Sequence, residues 1–109
     1  MNVDPGETTL LPAAEPPRIL VVDDEVVITE ILADFLGMEG WSIETATSGP
    51  AALEVLEERS FDLMISDLKM PQMSGLELMG KAHTRHENMV IIIMTAFGTV
   101  ETAIEAMKK

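Results

Sequence analysis

Acidic and hydroxyl side chains stand directly after three of the four short apolar segments of this sequence. Asp23 and Asp24 follow the first segment, Asp67 follows the third, and Thr95 follows the fourth. Three carboxylates that share one pocket repel one another unless a cation lies among them. Magnesium suits such a pocket because it prefers oxygen ligands and accepts one or two carboxylates together with a phosphate. These residues therefore predict a phosphoryl site, in which a carboxylate oxygen attacks phosphorus and Thr95 donates to a phosphoryl oxygen.

The elements that must position these residues follow from the alternation of apolar patterns. Runs typical of strands, bounded by turn residues, lie at 19–22, 41–46, 62–66 and 89–94. Helical spacing follows each run, at 27–36, 50–56, 76–85 and 100–107, the last with Thr99 as a cap. Such alternation predicts an α/β fold, a doubly wound parallel sheet with helices on both faces. Active groups then collect at the carboxyl ends of the strands, and the three carboxylates converge if strands one and three are neighbours.

The domain organisation is simple. Residues 1–17 contain four prolines and show no strand or helix period, so we expect a flexible N-terminal tail. One domain is expected over 18–109, since a hydrophobic fraction of 47% is ordinary for a globular core.

Composition limits the partners and the location. With 19 acidic and 7 basic residues, the formal net charge is −12, which repels phosphate backbones and predicts no direct nucleic-acid binding. The absence of cysteine excludes disulfides and thiolate metal sites. The longest strongly apolar run, Met89–Met94, is far shorter than the roughly 18 residues of a membrane span. Without a signal-peptide pattern at the N-terminus, we expect a cytoplasmic protein.

Each chemical reading has a structural alternative. An Asp-Asp pair after a strand also caps helices, Asp67 could form a turn before Pro71, and Thr95 could be an ordinary strand-end hydroxyl. His83 and His86 are spaced for one helix face, but no third ligand lies nearby in the sequence, which favours surface histidines over a metal site.

Three blocks of the sequence carry a family resemblance. The segments ILVVDDE (19–25), DLKMPQMSG (67–75) and MTAFG (94–98) resemble, in order and spacing, the signature blocks of response-regulator receiver domains. The stretch 96–109 is similar to the NtrC-like subgroup, in which a receiver usually precedes an ATPase module and a DNA-binding module. Three ordered blocks are a specific signal, whereas any one alone is weak.

The resemblance implies a flavodoxin-like (CheY-like) receiver fold with strand order 2-1-3-4. It also implies phosphorylation of Asp67 by a histidine kinase, with Mg²⁺ held by Asp23, Asp24, Asp67 and the backbone carbonyl of Lys69. Within the acidic pair Asp24 is favoured as the direct ligand, and Thr95 would be the switch hydroxyl. Such a domain is a signalling module rather than an enzyme, apart from slow self-dephosphorylation.

The sequence departs from the family at its C-terminal end. The family has a fifth strand and helix, with a Lys-Pro pair, that have no counterpart here, so we expect an incomplete receiver ending in the fourth helix. This favours a second hypothesis, a binding or dimerisation module without competent signalling that self-associates through the exposed fourth strand, Met89–Met94. A haloacid-dehalogenase-type phosphatase is excluded because it needs an aspartate where Lys69 stands.

Overall fold

A computed structural model of the chain describes residues 15–94. Its elements are β1 (Arg18–Val22), α1 (Val26–Gly37), β2 (Ser42–Ala46), α2 (Gly49–Glu58), β3 (Leu63–Asp67), α3 (Gly75–Arg85) and β4 (Val90–Met94). All seven elements predicted within this range are present, each within a few residues of its predicted bounds. The predicted fourth helix, most of the predicted tail and Thr95 lie outside the described residues.

The four strands form one parallel sheet in the order β2-β1-β3-β4. The predicted α/β class and strand order are thus confirmed. Val22 at the end of β1 pairs with Ala46 on one side and with Ser66 on the other. The carboxyl ends of β1 and β3 therefore lie side by side.

Serine caps fix the beginnings of two helices. The Ser48 hydroxyl accepts a hydrogen bond from the Ala51 N–H (3.1 Å), and the Ser74 hydroxyl accepts one from the Glu77 N–H (3.1 Å). Pro50 lies in the first turn of α2, where a missing N–H leaves no helical hydrogen bond unmade. α1 ends at Gly37, a residue type common at helix C-termini.

The sheet has an apolar core on each face because successive strand residues point to opposite sides. Against α2 and α3 lies the larger core, which includes Leu20, Val22, Ala52, Leu56, Met64, Leu78, Met79, Ile91 and Ile93. Against α1 lies a smaller core of Ile19, Val21 and Ile65, with Leu32 and Leu36 packed on it.

The apolar pattern of α1 is wider than the surface it packs on. Leu32 and Leu36 contact the sheet, but Val27, Ile31 and Phe35 are 63%, 57% and 64% exposed. Among the described residues α1 lies over β1 and β2, so one edge of its apolar stripe finds no partner there. No helix in the described part of the chain is long and apolar enough to cross a membrane.

Candidate functional site

Three carboxylates come together at the carboxyl end of the sheet. Asp23, Asp24 and Asp67 each offer one oxygen, and these three oxygens lie within 4.8 Å of one another. Asp23 and Asp24 follow β1, and Asp67 is the last residue of β3. The cluster arises because β1 and β3 are adjacent and parallel, which is the condition under which the sequence predicts that the three carboxylates converge.

The backbone after β1 holds Asp23 and leaves Asp24 open. The Asp23 N–H donates to the Ala46 carbonyl (3.1 Å), which extends the pairing with β2 by one residue. The Asp23 Oδ1 accepts from the Glu25 N–H (2.9 Å), so this carboxylate also fixes the entry to α1. Asp23 is buried, with 5% of its surface exposed, whereas Asp24 is exposed. One member of the pair is thus fixed by the fold while the other faces solvent.

Asp67 is held through its backbone. It pairs with Met94 of β4, and the next N–H, that of Leu68, donates to the Met94 carbonyl (2.7 Å). The buried Ser66 hydroxyl donates to the Asp67 carbonyl (3.0 Å). Its half-buried side chain remains available at the edge of the pocket.

The loop from Leu68 to Ser74, here called the acceptor loop, closes tightly onto Asp67. The Gly75 N–H donates to the Leu68 carbonyl (2.7 Å), and a Cβ at position 75 would overlap the Asp67 carbonyl oxygen. The Lys69 carbonyl, by contrast, accepts no hydrogen bond among residues 15–94. Its side chain is exposed, consistent with a contribution through the backbone alone.

Burial and mutual repulsion disfavour charge at two of the carboxylates. Burial raises the pKa of Asp67 above its ordinary value, against hydrogen bonds from the Leu68 and Lys69 N–H groups, and the Asp24 charge raises it further. Burial also raises the pKa of Asp23, with the charges of Asp67 and Asp24 adding to the effect. None of the ion pairs formed within residues 15–94 involves these carboxylates. A bound cation would relieve both the desolvation and the repulsion.

Other predicted residues lie elsewhere. Thr95 is outside the described residues, although its neighbour Met94 pairs with Asp67. His83 is exposed, and the His86 Nε2 lies 2.9 Å from the Leu56 carbonyl oxygen. Within the described range, the three aspartates are the group of side chains placed to hold a metal, and neither histidine belongs to it.

Two contributors to the site escape sequence reasoning. Gly75 is a familiar turn residue in the sequence, but its closeness to the Asp67 carbonyl depends on how α3 approaches β3. Ser66 reads as one more strand residue, and only its complete burial draws attention to its hydroxyl. The signals available were the position of Ser66 next to Asp67 and the place of Gly75 at the end of the block 67–75.

Comparison with known proteins places this geometry in context. The family model described as "Response regulator receiver domain" matches residues 19–109. The chain is 39% identical over 92 residues to the response regulator protein FleR of Pseudomonas aeruginosa, covering 84% of this chain and 20% of FleR. It is 38% identical over 96 residues to the transcriptional regulatory protein ZraR of Klebsiella oxytoca, covering 88% of this chain and 22% of ZraR. Both relatives are NtrC-like response regulators, and the chain spans about a fifth of their length.

A similar solved structure agrees with the fold. The response regulator protein TrrA of Thermotoga maritima, crystallised in complex with Mg²⁺-BeF, superimposes with a TM-score of 0.72 at 43% identity. The match covers 75% of this chain and 71% of TrrA.

Proposed function

Because the chain belongs to the response-regulator receiver domain family and is similar to its NtrC-like members, we propose that it accepts a phosphoryl group on Asp67 from a histidine kinase and so switches a signalling output. The observation that carries the proposal is the meeting of the Asp23, Asp24 and Asp67 oxygens within 4.8 Å at the ends of β1 and β3. The reaction takes place in the cytoplasm, where the kinase presents its phosphohistidine.

The chemistry of the donor set fits Mg²⁺. The candidate ligands are all oxygens, namely the three carboxylates and the Lys69 carbonyl, and none of the carboxylates forms an ion pair within residues 15–94. Asp24, which is exposed, offers the most accessible oxygen, while Asp23 is fixed by the Glu25 N–H. When bound, the ion neutralises the negative charge that phosphoryl oxygens bring to this acidic pocket.

The protein's own part in the transfer is that of nucleophile and scaffold. A carboxylate oxygen of Asp67 forms a bond to phosphorus as the bond from phosphorus to the kinase histidine nitrogen breaks, and that nitrogen takes a proton from solvent. Attack of water on phosphorus later releases inorganic phosphate and regenerates Asp67. This slow return makes the domain a timed switch rather than an enzyme. Thr95 would donate its hydroxyl to a phosphoryl oxygen and so report the modification.

The test is phosphorylation of the 109-residue chain by acetyl phosphate, followed by intact mass. We expect one phosphoryl group per chain when Mg²⁺ is present and none when it is chelated. Asp67→Asn should abolish the gain, whereas Asp34→Asn, on the exposed surface of α1, should not change it. A gain that survives Asp67→Asn, or that does not need a divalent ion, would overturn the proposal.

A second candidate function, self-association without competent signalling, is favoured by β4. Val90 and Ile92, on the α1 side of the sheet, are 55% and 40% exposed. Within residues 15–94 β4 also has a strand neighbour on one side only. The proposed occupant is β4 of a second copy of this chain. Light scattering over a concentration series should show dimers that Ile92→Lys disrupts; a monomer at high concentration would contradict this.

A further inference from the structure

The side chain of Met73 in the acceptor loop lies on a glycine of a distant element. Gly49 is buried at the first position of α2, and a Cβ placed on it would lie 2.6 Å from Met73 Sδ and 2.8 Å from Met73 Cβ. The backbone of Gly49 is not left-handed, so its conformation does not call for glycine. Position 49 is restricted to glycine by space, because the Met73 side chain occupies the volume that a Cβ would need.

The contact coincides with a strained turn. Gln72 has a φ of 72°, and the Met73 N–H donates to the Pro71 carbonyl (2.7 Å), which together form a γ-turn. A non-glycine residue holds such a backbone only when its surroundings fix it. Met73 immediately follows Gln72, so its anchorage on Gly49 is a tertiary contact that can hold this turn, beside the packing of Met70 on the larger core.

The two ends of the acceptor loop are secured independently of Met73. Leu68 is fixed by its N–H to the Met94 carbonyl and by its own carbonyl to Gly75, and the Ser74 hydroxyl caps α3. Between these ends, the Pro71–Met73 bond is the one backbone hydrogen bond formed among residues 69–73. The Lys69 N–H also donates to the Asp67 carboxylate, and Met70 packs with Met73 against the larger core. Of these anchors, Met73 is the one next to the left-handed Gln72, so its packing helps to set the position of the Lys69 carbonyl in the middle of the loop.

We propose that the packing of Met73 on Gly49 is a positioning device, which sets the acceptor loop so that the Lys69 carbonyl completes a divalent-cation site with Asp23, Asp24 and Asp67. This inference rests on the proposed function, because it concerns the same Mg²⁺ site. In this proposal Met73 and Gly49 are ligands of neither the ion nor the phosphoryl group. They act at a distance, through the geometry of the loop.

The experiment compares Gly49→Ala with Gly80→Ala in the 109-residue chain. Gly80 lies on the exposed surface of α3, where an added Cβ meets nothing within 4 Å, so it is a matched control. Mg²⁺ affinity is measured by calorimetry, the phosphorylation rate with acetyl phosphate, and the fold by circular dichroism. Gly49→Ala should weaken Mg²⁺ binding by roughly tenfold or more, as expected for loss of a group that orients a ligand. Gly80→Ala should bind Mg²⁺ like the parent chain.

A second pair of variants covers the case in which Gly49→Ala fails to fold. Met73→Ala removes the anchor without creating a clash and should also weaken Mg²⁺ binding. Met73→Leu keeps an apolar anchor and should restore most of the affinity.

The outcomes separate this inference from the proposed function. Unchanged Mg²⁺ affinity in the folded Gly49→Ala and Met73→Ala chains, with only a lower Tm, would show that the contact is merely structural and overturn the inference. A parent chain that binds no Mg²⁺ would instead overturn the metal site itself, and this inference with it.

Discussion

The charged forms of Asp23 and Asp67 destabilise the folded protein. Both carboxyls have a raised pKa, first because of burial and then because of neighbouring acidic groups. The folded protein therefore holds protons on these groups at a pH at which the unfolded chain has released them. Stability from this source is fully present below the ordinary value of 3.8 and is lost as the pH rises through the raised pKa of each group.

Asp67→Asn should therefore stabilise the metal-free protein at neutral pH. The substitution removes a charge that the fold disfavours, and it also relieves the repulsion on Asp23. Each kcal/mol gained should raise the Tm by roughly 4–8 °C in a domain of this size. Thermal unfolding in the presence of a chelator checks the shift.

The same experiment has a pH arm and a metal arm. The increase in Tm caused by Asp67→Asn should become smaller as the pH falls toward 3.8. Mg²⁺ should raise the Tm of the parent chain more than that of the variant. An advantage that grows in acid would mean that the charge on Asp67 is favoured by the fold.

At the scale of elements, the site depends on how closely α3 approaches β3. Gly75 begins α3 at a position where an added Cβ would overlap the backbone carbonyl of Asp67, while its N–H closes the acceptor loop on Leu68. No side chain fits at this position unless the end of β3 moves. The first turn of α3 and Asp67 are therefore coupled through backbone contact.

Gly75→Ala should consequently destabilise the chain by about 1–3 kcal/mol, the usual cost of overpacking. Urea denaturation provides the measurement, and Gly80→Ala on the same helix provides the comparison, since alanine there should be neutral or stabilising. Equal effects of the two substitutions would show that α3 can shift freely away from β3.

The N-cap of α2 is a second test at this scale. Ser48→Ala should cost about 0.5–2 kcal/mol because the Ala51 N–H loses its acceptor. Ser48→Asp, which keeps an acceptor oxygen at the helix N-terminus, should restore most of the stability in the same denaturation assay. An unchanged free energy of unfolding in Ser48→Ala would indicate that water replaces the hydroxyl as the acceptor for the Ala51 N–H.

At the scale of the whole molecule, residue patterns predict the secondary-structure elements and their order along the chain. Apart from the strand ends, they do not predict which residues that are distant in sequence come into contact. The apolar runs place the elements to within a few residues because their period distinguishes helices from strands. The aspartate cluster is predictable because parallel strands deliver their ends to one edge. The Gly49–Met73 contact is not, because no local pattern links residues 24 positions apart on a helix and a loop.

The two faces of the sheet should also differ in their tolerance of substitution in the 109-residue chain. Leu56 on α2 is 3% exposed, and its replacement by alanine should lower the free energy of unfolding by about 2–5 kcal/mol. Phe35→Ala on α1 should change stability by no more than about 0.5 kcal/mol, since that ring is 64% exposed. Urea denaturation of both variants checks this, and a large cost at Phe35 would mean that the ring is covered.

The central claim, that Asp67 in its carboxylate cluster takes the phosphoryl group, is tested most directly by locating the modified residue. An aspartyl phosphate is reduced by borohydride to homoserine, so the chain is treated with acetyl phosphate and Mg²⁺, reduced, digested and sequenced by mass spectrometry. We predict homoserine at position 67 and at no other acidic residue. Homoserine at position 23 or 24 with an intact Asp67, or a phosphoryl group carried by His83 or His86, would contradict the account.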